Sequence, residues 1–135
     1  AGPTDSDGLD LRPLLTGGET SETFQERALY WHFPNIWGPL ESPPPTGPGL
    51  GACSVIRDGE WKLIYYHDRT TFELFHLEED IGETNNLVEE RPDKAEELAD
   101  RLGSYLREVD APMPVVKATG EPVPYPDRVS EMEAR

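Results

Sequence analysis

The order of apolar and turn residues predicts an α+β fold: four strands, two of them an antiparallel hairpin, then one C-terminal amphipathic helix and an irregular proline-rich tail. Three observations predict it. Ala52 to Arg57 and Glu60 to Tyr66 flank Asp58-Gly59, and Asp-Gly marks a two-residue hairpin because its central positions need positive φ. Ala28 to Phe33 and Phe72 to Leu77 are aromatic-rich runs of strand character. Ala95, Leu98, Ala99, Leu102, Leu106 and Val109 recur at i, i+3, i+4 spacing, the signature of a helix with one apolar face.

Taken in order, residues 1–27 form a linker segment. Asp7 to Gly17 within it predicts a turn and a short helical piece, and its leucines (Leu9, Leu11, Leu14, Leu15) need something else to pack on. Residues 28–110 form the compact sheet-and-helix unit. Its first strand stops at Pro34, and a Pro/Gly-rich loop to Gly51 follows, containing a loose PxxP pattern at Pro45-Thr-Gly-Pro48. An Asp58-Gly59 turn sets a register with Ile56 facing Trp61, Ser54 facing Leu63 and Ala52 facing Tyr65. On the other side it sets Arg57 against Glu60, Val55 against Lys62 and Cys53 against Ile64. The Trp61 side is the expected core face. In the last strand Phe72 and Leu74 point to one face and Phe75 and Leu77 to the other, so both faces need cover. Asp80 to Leu87 is a turn, and Pro92 suits the first turn of the helix. Asp93, Glu96 and Glu97 sit near the helix N-terminus, where the macrodipole favours anions. Gly103 weakens the helix by about 1 kcal/mol relative to Ala, and Pro112 ends it. Residues 111–135 read as an extended or disordered tail.

Length and composition bound the function. At 135 residues the chain is one domain or less. A formal net charge of −15 repels phosphate backbones and anionic bilayers, so neither nucleic acid nor membrane is an expected partner. No apolar run approaches the roughly 18 residues that span a bilayer. Cys53 is the single cysteine, so no intrachain disulfide can form and the redox compartment stays open. The start, Ala1-Gly-Pro-Thr, lacks an initiator methionine and a leader pattern, which fits a fragment or a processed chain.

Few residues suggest chemistry. His32, His67 and His76 match no zinc spacing, and Asp5-Ser-Asp-Gly8 fails the calcium-loop pattern. Glu78-Glu79-Asp80 reads as a solvated turn. His32 ends an aromatic strand beside a Pro/Gly-rich loop, a position that can line a pocket or simply pack. His67 reads as a turn residue and His76 as a strand-face residue.

Four pieces in order resemble the end of many sulfatases. Asp7-Gly-Leu-Asp-Leu-Arg-Pro-Leu-Leu-Thr-Gly17 looks like their "DG-x-S/D-L-x-PLL-x-G" segment, and Arg27-Ala-Leu-Tyr-Trp-His-Phe-Pro34 like their "R-x-L-Y-W-H-F/Y-P" strand. Ser54 to Ile64 looks like "S-A-I-R-x-G-D-W-K-L-I". Phe72 to Leu77, with Asp80, Glu83 and Asn86-Leu87, looks like "x-E-L-Y-N-L-x-x-D-P-x-E-x-x-N-L". The resemblance is to the C-terminal subdomain of type I, formylglycine-dependent sulfatases (arylsulfatases), within the alkaline phosphatase-like superfamily. It implies a supporting α+β subdomain, a four-stranded antiparallel sheet with one C-terminal helix, that packs on its own catalytic domain, and a parent that hydrolyses sulfuric esters in the periplasm, outside the cell or in the lysosome. Calcium and formylglycine belong to that catalytic domain, so this chain carries no cofactor, catalytic or metal residue and is inactive alone. Cys53-Ser-Val-Ile-Arg57 has Val55 and Ile56 where the formylglycine motif has Pro and Ser. Such subdomains can edge the substrate cleft, which makes His32 and Asn35 candidate substrate-binding residues, Asn35 standing where the family often has His. Self-association through an exposed apolar face is a further expectation. The alternatives are an independent acidic interaction module, or the same subdomain of a phosphonate or phosphodiester hydrolase.

Overall fold

The computed structural model describes residues 9–18, 27–35 and 51–129. Four strands, β1 (Leu29–Phe33), β2 (Cys53–Asp58), β3 (Trp61–Tyr66) and β4 (Thr71–His76), form one sheet in the order β1-β2-β3-β4. Every pairing is antiparallel. A short helix α1 (Arg12–Thr16) precedes the sheet, and α2 (Pro92–Glu108) follows it. The α+β architecture expected from the sequence is the one observed. Calcium-like Asp5 to Gly8 and the PxxP stretch at Pro45 to Pro48 lie outside the described residues.

The hairpin turn falls one residue later than its Asp-Gly pair implies. Asp58 pairs with Trp61, and the register continues Arg57 to Lys62, Ile56 to Leu63, Val55 to Ile64, Ser54 to Tyr65 and Cys53 to Tyr66. Gly59 and Glu60 are therefore the two central residues. Gly59 has φ +57° and Glu60 is not in the positive-φ region, the pattern of a type II′ turn with glycine first. Asp58 stays in the strand, where both terminal nitrogens of Arg101 on α2 donate to its carboxylate. The expected pairs, Cys53 with Ile64 among them, are corrected accordingly. Each partner moves by two residues, so the side chains keep their faces.

Face identity decides where α2 docks. Ile56, Leu63, Tyr65 and Leu74 point to one side, and Ala95, Leu98, Ala99, Leu102 and Leu106 of α2 pack on them. Leu98, Leu102 and Leu106 are fully buried, each contributing about 1.5–3 kcal/mol relative to exposure. Tyr30 of β1 stacks on Tyr105 of α2 with ring centroids 3.9 Å apart. The opposite sheet face carries a smaller cluster of Ile64, Tyr66 and Phe75, joined by Cys53, Val55 and Leu77. Trp31 on that same face is half exposed.

The residues after α2 fold back onto it. Val115 and Pro122 form an isolated antiparallel bridge, and Pro126–Arg128 make one 3-10 turn. Val123 and Val129 are buried in the main core, and Tyr65 Oη donates to the Pro124 carbonyl at 2.9 Å. Arg107 grips Asp127 with two 2.8 Å hydrogen bonds. Gly103 makes this approach possible, because a Cβ there would collide with the Asp127 carboxylate.

The turn after β4 guards the sheet edge. Asn86 Oδ1 accepts from the backbone N–H of Leu74 at 2.9 Å, and Leu87 N–H donates to the Leu74 carbonyl at 2.8 Å. An edge strand with open N–H and C=O groups invites foreign pairing, and these bonds close it there. By contrast α1 buries none of its residues, and Leu14 and Leu15 stand exposed.

Candidate functional site

The polar side chains buried among the described residues are Ser54 and His67, and they meet at one place. Strand alternation puts Ser54 on the core face with Ile56. The β1–β2 register sets His32 directly opposite Ser54. His67 follows the end of β3, held by its N–H donating to the Ala52 carbonyl at 2.9 Å. Ser54 Oγ then lies 2.8 Å from His32 Nδ1 and 2.8 Å from His67 Nε2. His32 Nε2 lies 3.1 Å from the carbonyl oxygen of Pro112, just beyond α2. The two imidazole centroids are 5.5 Å apart.

Donor chemistry orients this chain of bonds. The Pro112 carbonyl only accepts, so His32 Nε2 carries a proton. In the neutral ring Nδ1 must then accept from Ser54 Oγ–H. Ser54 Oγ in turn accepts from His67 Nε2–H. His67 Nδ1 is left as a buried lone pair with no partner among the described residues. Burial first, and the adjacent His32 second, push the His67 pKa down to about 4.

This arrangement supports anchoring rather than bond-breaking chemistry. A nucleophile must reach its substrate, whereas Ser54 is 0% exposed and its hydroxyl is committed on both sides. His32 likewise has both ring nitrogens engaged by the protein. Asn35, two residues beyond β1, is exposed. His67 departs from the sequence expectation: it does sit in a turn, but buried at 2% exposure. Nothing local marks it, since its surroundings are Ser54 of β2, Tyr65 of β3 and the Ala52 carbonyl just before β2. His76 is the strand-face residue expected, edge-on to Trp61 at 4.6 Å with Nε2 3.3 Å from a Glu60 carboxylate oxygen.

The other candidate groups among the described residues are engaged locally. Cys53 lies half-buried within β2, and burial raises its pKa, which disfavours the thiolate and makes it a poor nucleophile. The described residues bring together no cluster of three or more His, Cys, Asp or Glu able to hold a metal ion. Asp80 is spent on its own turn, accepting from the N–H groups of Thr84 and Asn85 at 2.8 Å each. Those bonds hold its pKa below the ordinary value. No helix among the described residues is long and apolar enough to cross a membrane.

With the fold and this buried junction defined, comparison with known proteins becomes informative. No family model matches the chain. It is 30% identical over 132 residues to a protein named Sulfatase from Formosa agariphila, covering 90% of this chain and 22% of that protein. Among solved structures it is similar to BT4656, determined in complex with its substrate D-glucosamine-2-N,6-O-disulfate, with TM-score 0.56, 23% identity, and coverage of 80% of this chain and 21% of that one. It is also similar to BT1596, described as a 2-O GAG sulfatase, with TM-score 0.56, 19% identity, and coverage of 82% and 22%. A sulfatase-named chain from Bacteroides thetaiotaomicron gives TM-score 0.57 at 18% identity, covering 94% and 27%.

The sheet-and-helix fold is therefore shared with part of each of these longer chains, of which it covers 21–27%. The chain is homologous to that Sulfatase over 90% of its own length, and its match to only part of each longer chain is consistent with a C-terminal subdomain. It spans about a fifth of the length of the curated relative it matches.

Proposed function

We propose that the chain is the C-terminal supporting subdomain of a sulfuric-ester hydrolase and has no activity alone. The carrying observation is the 30% identity to a Sulfatase that covers 90% of this chain but 22% of that protein. The site supports the same reading, because the histidines and Ser54 tie strands together and the cysteine is strand packing. Catalysis, calcium and formylglycine are assigned to the catalytic domain of the parent. Its surface receives the apolar side chains exposed here, Leu14, Leu15, Trp31 and Ile81. Of the two candidate contacts at the cleft edge, Asn35 offers an exposed amide to substrate. His32 places that strand end through its two protein hydrogen bonds. A sulfated saccharide is the substrate class favoured, by analogy with the ligand named for one structural neighbour. The parent is placed in the periplasm or outside the cell, as the resemblance implies.

The test is to assay sulfate release from aryl and saccharide sulfates, and phosphate release from phosphodiesters, using this chain and the parent polypeptide. The proposal expects sulfate release by the parent alone. Phosphodiester turnover by the parent in place of sulfate release would move the chain to a different hydrolase. A parent with neither activity would favour an interaction module.

A further inference from the structure

The buried junction has a property beyond anchoring. The geometry points to a proton-coupled relay in which uptake of one proton by His32 reverses both hydrogen bonds to Ser54 and switches His67 between its two tautomers. In the neutral state His67 Nε2–H donates to Ser54 Oγ, Ser54 Oγ–H donates to His32 Nδ1, and His32 Nε2–H donates to the Pro112 carbonyl. Once His32 is an imidazolium, both its nitrogens are donors. Its Nδ1–H then donates to Ser54 Oγ, the hydroxyl turns to donate to His67 Nε2, and the proton of His67 resides on Nδ1. The three groups hold three exchangeable protons before and four after, so the net change is one proton taken from solvent. Every one of the three hydrogen bonds survives in both states, and no heavy atom has to move.

Two features make the tautomer switch available. His67 Nδ1 is buried without a partner among the described residues, so it can lose or carry a proton without breaking a bond to protein. Ser54 is a hydroxyl, which donates and accepts by rotation alone. The surroundings keep the proton on one ring. Tyr65 lies edge-on to His67 at 5.4 Å, its phenol pKa raised by burial and its Oη donating to Pro124. Asp68, the nearest acid in sequence, contacts Arg69 at 3.4 Å. No described carboxylate comes within ion-pair distance of either imidazole, so two charged rings would repel without compensation. Burial holds His67 neutral down to about pH 4. The relay therefore joins β1, β2, the turn after β3 and the segment after α2 in a junction that stays bonded while its charge changes.

Imidazole nitrogen NMR of this chain followed as pH is lowered tests the relay. The protonated-type and unprotonated-type nitrogen signals of His67 should exchange places as His32 charges, while His67 stays neutral. Ser54→Ala should abolish the exchange and leave His67 in one tautomer. Ser54→Thr, which keeps the hydroxyl, should preserve it and stands in if the alanine variant does not fold. The relay is wrong if His67 keeps its Nε2–H tautomer throughout, if both rings become imidazolium together, or if Ser54→Ala leaves the exchange intact.

Discussion

His67 makes the stability of this chain depend on pH. Its folded pKa of about 4 lies below the ordinary histidine value of 6.5, so the unfolded chain binds more protons between those values. The stabilisation is fully present above pH 6.5 and is lost as pH falls toward 4. A shift of this size corresponds to roughly 3 kcal/mol. Denaturant unfolding at pH 7.5 and pH 4.5 should show a fall of that order, and His67→Gln should flatten it. Equal stability of the unmodified 135-residue chain at both pH values would contradict the assignment. The inward direction of Ser54 was legible from its alternation with Ile56. Its partners were not. An Asp58-Gly59 turn sets Ser54 against Leu63, whereas the observed turn sets it against Tyr65, two residues from His67. A buried network of three segments depends on register, which local residue preferences specify only to within such a slip.

At the scale of elements, packing overrides propensity in α2. Gly103 is a weak point in an isolated helix, where alanine would gain about 1 kcal/mol. Here Gly103 is the seat of the 3-10 turn, and Asp127 above it is held by Arg107. Gly103→Ala should therefore destabilise by about 1–3 kcal/mol through overpacking. Greater exposure of Tyr125 fluorescence and a lower denaturant midpoint would report it. The helix itself was readable from its spacing, but its contact with a segment some twenty residues later was not. The edge of β4 gives a second case. Asn86→Ala removes the acceptor for the Leu74 and Val88 N–H groups, and an unmade bond at a part-buried donor costs about 1–3 kcal/mol. Faster amide exchange at Leu74, with β3 amides unchanged, is the expected local signature.

For the whole molecule, several apolar side chains of the described residues stand open to solvent. Leu15 and Ile81 are each 83% exposed, and Trp31 is 51% exposed. Leu15→Asp should leave the unfolding of this chain within about 0.5 kcal/mol of the unmodified one, as for exposed positions generally. The same change in the parent should lower its thermal midpoint if α1 packs on the catalytic domain. Four ordered motifs made the sulfatase relationship legible in the residues, because a subdomain's strands and turns carry family pattern even where no catalytic group stands. The Ser54–His32–His67 junction was not legible, since it joins three segments that no local pattern brings together. The most direct test of the central claim is sulfate release measured side by side for the purified 135-residue chain and its full parent polypeptide. The account predicts turnover by the parent and none by the chain; sulfate-ester hydrolysis by the chain alone would contradict it.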